Sequence, residues 1–452
     1  MIPSPVRALA AALALLATAT AATAQSAPAV NLSFDTYRLD NGLRVILAPD
    51  PATPVVAVNL WYGVGSRNER AGRTGFAHLF EHMMFEGSGN VPKGEHIRLL
   101  QGAGATGLNA STGADRTNYY QVVPPSRMNL ALWLEADRMR SLNVTPAQLA
   151  NQQEIVKEER RLRIDNAPYA KSQLLATGEA AYNPRTCFSY AHEVIGSMDD
   201  LNAARIEDVQ EFFRTYYSPN NATLVLAGDF DPAVARRLVG EYFAAIPSVP
   251  AAPAVECTEP FAHLPRRDTI NDPNATLPAF MAAYGAVQAG HPDAYALELL
   301  STILGSGRSS RLNQRLVRQE RAAAFAVAQA DIRRGPGLVF VQARSTPGTD
   351  AGRLEALIDE EITRLVQGGV TEDELMRAKN QTRARFVRSL ATAMGRAETL
   401  QRYTLNFGDP AALRTDLDRY LAVTREDMHR VARQYLTPRN RAVVITIPGR
   451  TQ

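Results

Sequence analysis

The sequence predicts an α+β protein of two homologous domains, each a mostly antiparallel sheet packed with helices. Three observations support this: a 452-residue chain that is 45% hydrophobic, an internal repeat that divides it into similar halves, and alternating helical and strand patterns in each half. The formal net charge is only +3, from 49 basic and 46 acidic side chains spread along the chain. This balance argues against nucleic acid or an anionic membrane as a partner.

The internal repeat is clearest at the end of each half. The stretch "IEDVQEFFRTYYSPNNATLVLAG" from Ile206 matches "REDMHRVARQYLTPRNRAVVITI" from Arg425 at a constant offset and without a gap. Each copy predicts an acidic amphipathic helix that ends near a Tyr-x-x-Pro motif and is followed by a β-branched strand. We therefore expect two duplicated domains. The identities place Glu207, Asp208, Tyr216, Pro219 and Asn221 on Glu426, Asp427, Tyr435, Pro438 and Asn440.

The first half opens with strand patterns. In "YRLDNGLRVILAPD" the pair Asn41-Gly42 separates two alternating runs, which predicts a hairpin with a two-residue turn. The stretch "VVAVNLWYGVGS" then predicts a further strand. Hairpin-linked strands followed by long helices are typical of an α+β domain.

Two segments lie outside the predicted domains. Residues 246–268 are rich in proline and alanine and have no regular period, so we expect a linker there, with domains at 25–245 and 269–452. Residues 1–24 combine Arg7, an apolar run and a small-x-small site, which predicts a cleavable signal peptide. Alanine and arginine richness favours a bacterial source and hence the periplasm. No later stretch approaches the roughly 20 apolar residues of a transmembrane helix.

The chain has two cysteines, Cys187 and Cys257. In an oxidising compartment they could form one disulfide. Their separation along the chain does not tell whether their Cα atoms come within bonding range, so two free thiols are an equal alternative.

The stretch "GFAHLFEHMMFEGSG", residues 75–89, predicts a helix from the spacing of its apolar residues. His78 and His82 lie four residues apart on one face and can bind one metal ion, for which imidazole favours zinc. Glu81 lies beside that face and could accept a proton from a metal-activated water without being a ligand. The alternative is a partly buried helix with three unrelated polar residues, which the scarcity of histidine in this chain disfavours.

A catalytic zinc site needs a third protein ligand and an open position for water. The stretch "TPAQLANQQEIVKEERRLRI" predicts a helix of about five turns, with Thr145 as N-cap and Pro146 at the first helical position. Glu159 falls near the middle of its apolar face, defined by Leu149, Ile155, Val156 and Leu162. A buried carboxylate needs a cation, so Glu159 is either the third ligand or half of an ion pair with a nearby arginine.

These motifs resemble the pitrilysin/insulinase family of inverted-motif zinc peptidases, whose pattern is His-x-x-Glu-His-x76-Glu with the last glutamate as a ligand. His82 and Glu159 have the spacing of that pattern. The resemblance implies that His78, His82 and Glu159 bind zinc and that Glu81 is the general base. It covers essentially the whole mature chain, and "ILGSGRSSRLNQRLVRQE" is similar to the family's non-metal domain. The repeat places Leu297 opposite His78, so one zinc per chain is expected.

The resemblance implies two substrate-binding residues. The stretch "GLNASTGADRTNYYQVVP" is similar to the family's edge strand, on which Asn109 would hold an extended peptide; from the residues alone, a polar turn between strands is the alternative. The family's non-metal domain supplies an arginine and, seven residues on, a tyrosine that stabilise the oxyanion. Here Arg318 is followed by Phe325, and loss of one such donor typically costs about a hundredfold in rate or more. Gln152 replaces an acid that the family often has seven residues before the glutamate ligand, which weakens a carboxylate role there.

The predicted function is that of a zinc-dependent endopeptidase subunit for extended or unfolded peptides. Half-length members of the family pair two chains around a chamber, so a dimer is expected. Phe325 favours a heterodimer whose second two-domain subunit supplies the arginine and tyrosine; a homodimer is the alternative. The competing functions are a non-catalytic, chamber-forming subunit with a vestigial zinc site and a peptide-binding or zinc-storage protein. The intact Glu81 favours catalysis, because a structural zinc site has no use for a base.

Overall fold

The computed structural model describes residues 32–449 as two sheets covered by helices, which confirms the α+β class. The predicted signal peptide, residues 1–24, lies outside the described residues. Within 32–449, no helix has both the length and the hydropathy needed to cross a bilayer.

The first half contains a six-stranded sheet. Its strands are β1 (Asp35–Arg38), β2 (Arg44–Pro49), β3 (Val56–Tyr62), β4 (Thr106–Thr112), β5 (Thr117–Val123) and β6 (Ala222–Gly228). Its helices are α1 (Phe76–Met83), α2 (Glu95–Gly102), α3 (Met128–Ser141), α4 (Pro146–Arg160), α5 (Ala170–Thr177), α6 (Phe188–Ala191), α7 (Met198–Ala203), α8 (Ile206–Tyr216) and α9 (Pro232–Phe243).

The second half contains a five-stranded sheet. Its strands are β7 (Arg266–Asp272), β8 (Ala279–Gly285), β9 (Ala323–Asp331), β10 (Leu338–Ser345) and β11 (Arg441–Pro448). Its helices are α10 (Pro292–Gly305), α11 (Ala351–Gly368), α12 (Glu372–Ser389), α13 (Ala393–Phe407), α14 (Leu413–Ala422) and α15 (Arg425–Tyr435).

The two sheets share one topology. The order β2-β6-β3-β5-β4 in the first sheet corresponds to β7-β11-β8-β10-β9 in the second, and β1 extends the first sheet beyond β2. In each sheet only the first of these pairs is parallel, β2 with β6 and β7 with β11. Helices α8 and α15 begin at Ile206 and Arg425, the positions that the repeat aligns, and strands β6 and β11 begin at Ala222 and Arg441, at the same offset. The helix and strand that the repeat predicts in each half are therefore confirmed.

Each sheet packs its own helices on one face and a helix of the other half on the opposite face. In the first sheet, Val58 and Leu60 point into the core formed with α1 and α3, while the intervening Asn59 points toward α13. There the amide of Asn59 donates to Glu398 at 2.9 Å, and Gln401 donates to the Asn59 carbonyl at 3.0 Å. In return, α5 packs on β8 and β11. The halves therefore complete each other's layers.

The hairpin between β1 and β2 is present, but its turn is longer than the predicted two residues. Leu39 and Leu43 form the closing pair, with Leu39 N donating to Leu43 O at 3.0 Å. The loop thus holds Asp40, Asn41 and Gly42, and Gly42 has a φ of +89°. The side chain of Asn41 donates to the last carbonyl of α9 at 2.8 Å, which fixes the longer turn against that helix.

The segment 246–268, predicted as a linker, is tied down at several points. Strand β7 begins inside it, at Arg266, where it pairs in parallel with β11. Ile246 is buried in the first core. Cys187 and Cys257 form a disulfide, which decides between the two alternatives left open by the sequence and fixes the linker to the residue before α6.

Candidate metal centre

Helix α1 presents its polar residues on the side away from the core. Its buried residues are Phe76, Ala77, Leu79, Phe80 and Met83. The remaining positions are His78, Glu81 and His82, which are only partly buried. This short helix thus separates an apolar side from a side that carries two imidazoles and a carboxylate.

Helix α4 has the predicted start, with Thr145 accepting a hydrogen bond from Gln148 N at 3.3 Å. Its predicted apolar face is wrong in part, because Ile155 and Leu162 are 44% and 71% exposed. Glu159 is partly buried and lies on the stripe that is buried in the fold, which consists of Leu149, Gln152 and Val156. The stripe contains Gln152 because this amide finds hydrogen-bond partners on α1 and just beyond it, so hydrophobicity alone misplaces the face.

Helices α1 and α4 bring three potential ligands together. One ligand atom from each of His78, His82 and Glu159 lies within 4.8 Å of the other two. Glu159 Oε2 is 3.4 Å from His82 Nε2 and 3.8 Å from His78 Nε2. The two imidazole rings are nearly perpendicular, with centroids 4.8 Å apart. The spacing argument from the sequence therefore selected residues that meet in space.

The two oxygens of Glu159 face different partners. Oε2 faces the histidines, whereas Oε1 forms an ion pair at 2.8 Å with Arg163, which lies one turn further along the chain. The arginine partner proposed as the alternative to metal binding is thus present. Arg163 is 71% exposed, so this pair is weakly held and leaves the inner oxygen available.

The pKa values of the two histidines are shifted in opposite directions. Burial, reinforced by neighbouring His82, lowers the pKa of His78 to about 4, so its imidazole is neutral at neutral pH. Burial also acts to lower the pKa of His82, but the hydrogen bond and negative charge of Glu159 outweigh it and raise this pKa.

Glu81 lies beside the three potential ligands and contacts the edge of the first sheet. Its Oε2 accepts a hydrogen bond from Thr112, at the end of β4, at 2.5 Å. Burial raises the pKa of the Glu81 carboxyl, against the Thr112 hydrogen bond and the positive charges of His82 and Arg116. A carboxylate with a raised pKa is well matched to accept a proton near neutral pH.

A polar chain behind His82 could not be found from the sequence. His82 Nδ1 lies 3.2 Å from Gln152 Oε1, and Gln152 Nε2 donates to Glu86 Oε1 at 2.7 Å. Glu86 is also paired with Lys93 at 2.6 Å. When Nε2 of His82 binds a metal ion, its Nδ1 proton can be donated to Gln152 Oε1, which fixes the orientation of the ring. Gln152 thus orients the ligand without a carboxylate of its own.

Comparison with known proteins agrees with this geometry. Residues 44–183 match the profile described as "Insulinase (Peptidase family M16)", and residues 204–382 match "Peptidase M16 inactive domain". An uncharacterized zinc protease of Mycobacterium tuberculosis is 30% identical over 433 residues, covering 92% of this chain and 94% of that protein. The chain belongs to peptidase family M16. The zinc protease PqqE of Helicobacter pylori is also similar to this M16 chain, with 29% identity over 419 residues, 92% of this chain and 93% of PqqE.

Solved structures agree with the M16 assignment. A crystal structure of a protease from Helicobacter pylori has a TM-score of 0.87 and 28% identity, covering 92% of this chain and 99% of that chain. The periplasmic protease PqqL from Escherichia coli shares the fold at a TM-score of 0.75 and 19% identity. The match covers 93% of this chain but only 48% of PqqL, so the M16 chain corresponds to about half of PqqL.

The remaining predicted residues of the M16 chain, Asn109 and Arg318, are exposed. Asn109 is exposed on β4, which is the edge strand of the first sheet, as predicted. The pairing of β4 with β5 changes register between Thr106 and Asn109. Arg318 is exposed in a π-helical turn, Asn313–Gln319, and within residues 32–449 no ion pair joins it to the three potential ligands. Phe325 lies on β9, with the Arg344 guanidinium 4.8 Å above its ring.

The donor set of the M16 chain fits a zinc ion. Around a tetrahedral zinc with bonds of about 2.1 Å, neighbouring ligand atoms lie about 3.4 Å apart. The two histidine to glutamate distances, 3.4 and 3.8 Å, are close to this value. Two imidazole nitrogens and one carboxylate oxygen form one of the donor sets found in catalytic zinc sites, and such a set leaves a fourth position open.

Proposed function

We propose that this M16 chain is a zinc-dependent endopeptidase subunit that hydrolyses extended or unfolded peptides, with Glu81 as the general base. The observation that carries the proposal is the convergence of His78, His82 and Glu159 within 4.8 Å. The Glu81 carboxylate lies on the same short helix, α1, as the two histidines. The names of the M16 relatives as zinc proteases support the same chemistry.

The roles of the side chains follow from their contacts. A zinc ion held by His78, His82 and Glu159 would polarise the scissile carbonyl and make a water molecule more acidic. Glu81 accepts the proton of that water and returns it to the leaving amine. The hydrogen bond from Thr112 to Oε2 holds the Glu81 carboxylate in a fixed orientation for this role.

The substrate class follows from the strand next to Glu81. Strand β4 pairs only with β5 within the described sheet, so its outer edge can accept an extended peptide through backbone hydrogen bonds. Thr112 ends β4 and contacts Glu81, so a peptide along this edge passes the base. Asn109 is exposed on the same strand and is proposed to hold the peptide backbone. Recognition through the backbone favours unfolded peptides over particular side chains.

The substitution Glu81→Gln tests the proposal. The amide retains the size of the carboxylate and a hydrogen bond to Thr112 but cannot accept the proton. We expect zinc content to be unchanged and hydrolysis of an unstructured peptide to fall by about 10²–10⁴-fold. Glu158→Gln is the matched control, because Glu158 is an exposed acid on α4 that pairs with the exposed Arg161. Near-normal hydrolysis by Glu81→Gln, or wild-type hydrolysis that persists in chelator, would refute the mechanism.

We also propose that the chain works as the metal-bearing subunit of a heterodimer. The phenyl ring of Phe325 offers no hydroxyl, and about half of PqqL matches this chain, which supports an assembly of two such units. Size-exclusion chromatography of the chain alone, and with a second two-domain M16 chain from the same source, measures the assembly. A stable homodimer with full activity would contradict the heterodimer.

One observation favours a second candidate, a non-catalytic subunit that binds peptides. Residues 204–382 match a profile described as an inactive domain, and Arg318 does not reach the three potential ligands within the described part of the chain. Such a subunit would bind an unstructured peptide without cleaving it, with or without a chelator. Cleavage that is lost on chelation and restored by zinc excludes this candidate.

The proposed location is the bacterial periplasm. The disulfide between Cys187 and Cys257 supports an oxidising compartment, because structural disulfides persist there and are rare in the cytosol. Fractionation of the source cells, with detection of the processed N-terminus by mass spectrometry, tests both the location and the cleavage of residues 1–24.

A further inference from the structure

The N-terminus of the ligand helix α1 is capped by a buried carboxylate from outside the helix. Gly75, at the N-cap position, provides no side chain for this purpose. Instead the two oxygens of Glu69 accept hydrogen bonds from Gly75 N at 2.8 Å and Ala77 N at 2.7 Å. The side chain of Glu69 is 0% exposed. Its two oxygens therefore satisfy backbone N–H groups at the N-terminus of the helix, directly before His78.

His192 holds this carboxylate in place. His192 Nε2 lies 3.0 Å from Glu69 Oε2, and Nδ1 lies 2.8 Å from the carbonyl oxygen of Phe188. The carbonyl oxygen of Phe188 can only accept, so Nδ1 donates to it, and Nε2 shares a hydrogen bond with the Glu69 carboxyl group. The His192 side chain is only 8% exposed. Glu69 and His192 thus form a buried hydrogen-bonded pair whose carboxyl group caps the ligand helix.

His192 begins a loop, residues 192–197, that we call the bridging loop. Its backbone touches the start of α1 directly: a Cβ on Gly75 would lie 2.5 Å from the Ile195 carbonyl oxygen, and one on Gly196 would lie 2.4 Å from the Thr74 carbonyl oxygen. Both glycines have positive φ angles, +84° and +80°. Only glycine allows the two backbones to approach this closely.

The same loop holds the end of the other ligand helix, α4. Arg160 directly follows the ligand Glu159, and its guanidinium donates to Glu193 and, at 2.5 Å, to the carbonyl oxygen of Gly196. The Arg160 side chain is 13% exposed, so these contacts are largely shielded from water. One short loop thus contacts α1 close to His78 and α4 at the residue next to Glu159.

We propose that the bridging loop is a positioning element for the metal centre: through Glu69 and Arg160, His192 and Glu193 set the separation of the histidine ligands from Glu159. The proposal rests on the proposed function, because it assumes that these residues bind zinc. None of the loop residues is a ligand or contacts the peptide edge of β4 in the described structure. Their effect therefore falls on zinc affinity and on kcat, with KM unchanged.

Two substitutions and two matched controls test the proposal in the full chain. His192→Gln removes the imidazole that holds Glu69, and His429→Gln removes an imidazole that also lies 2.8 Å from a backbone carbonyl, but in the second half. Glu193→Gln removes the partner of Arg160. Its control is Glu158→Gln, which removes an acid on the same helix as Arg160 that is paired with Arg161 at 2.9 Å. The zinc dissociation constant is measured by competition with a chelating dye, together with the melting temperature of the zinc-free protein.

We expect zinc affinity to fall at least tenfold in His192→Gln and Glu193→Gln and less than twofold in the controls. A purely structural role would instead make affinity follow melting temperature across all four variants. Glu193 is 31% exposed, so Glu193→Gln decides the test if His192→Gln does not fold. Unchanged affinity in Glu193→Gln, with wild-type zinc binding intact, overturns the proposal. A wild-type chain that binds no zinc overturns the proposed function, and the positioning role with it.

Discussion

The side chain of Gln152 joins His82 to Glu86, and a carboxylate at this position should destabilise the protein. Gln152 is 6% exposed and Glu86 also 6%, and Gln152 Nε2 donates to Glu86 Oε1 at 2.7 Å. Gln152→Glu replaces this donor with an oxygen and sets two buried carboxylates against each other. The substitution introduces the acid that the family often has here, but into surroundings built for an amide.

The size of the effect can be worked out from these contacts. Leaving a buried acceptor without its donor costs about 1–3 kcal/mol. Repulsion between the carboxylates adds to this, with an upper limit set by protonating one of them, which costs about 5 kcal/mol at pH 8 for an ordinary glutamate pKa near 4.3. We expect Gln152→Glu to cost about 3 kcal/mol. For a chain of this size that is a fall in melting temperature of roughly 3–6 °C.

Glu86→Gln in the same chain should restore the lost stability. The new amide at position 86 can donate to the new carboxylate at position 152, which still accepts from His82. Glu86→Gln alone should be nearly neutral, because its other partner, Lys93, is 54% exposed. Melting curves of all four proteins are recorded in chelator at pH 8, since a protonated His82 would offset part of the cost. Additive effects of the two substitutions would refute the arrangement described here.

Three further predictions concern stability, pH and assembly. Replacing Cys187 and Cys257 by alanine should lower the free energy of unfolding by up to about 4 kcal/mol, because the disulfide closes a loop of 70 residues; a melting temperature equal to that of the oxidised wild type would contradict this. On the acid side, kcat/KM should fall at a pH above the ordinary glutamate pKa, because burial raises the pKa of Glu81. Thr112→Val should move this fall to still higher pH, because it removes a hydrogen bond that lowers the same pKa. A pH profile in which Thr112→Val moves the fall to lower pH would be inconsistent with this. Phe325→Tyr should leave kcat of the heterodimer unchanged, whereas a tenfold rise in the chain alone would point to a homodimer.

The sequence was most informative where one helix carries the signal by itself. His78, Glu81 and His82 lie on one short helix, so their spacing alone placed them on one side, and the N-cap at Thr145 placed the start of α4. Glu159 was predicted to lie on a buried face, and it does lie on the buried stripe. Helical periodicity and capping are local properties, which is why they can be read from a single chain.

The sequence failed where a residue's surroundings come from another element. Ile155 and Leu162 look like core residues but are exposed, while the polar Gln152 is buried because His82 and Glu86 satisfy its amide. Hydrophobicity cannot reveal such an exchange, since the partners lie far from Gln152 along the chain. The contribution of the bridging loop was missed for the same reason: His192 and Glu193 pair with Glu69 and Arg160, which lie far from them along the chain.

The second half has no residue among the three potential ligands, yet its helix α13 is connected to the proposed base. Glu398 on α13 accepts a hydrogen bond from Asn118 on β5 at 3.4 Å, and Asn118 Oδ1 accepts one from Ser111 on β4 at 2.7 Å. Ser111 directly precedes Thr112, which holds Glu81. Edge strands are the least constrained strands of a sheet, and this polar chain ties β4 to the centre of the molecule. The half without ligands therefore contributes to the scaffold of the site, because α13 contacts the strand pair β4–β5 that carries Thr112.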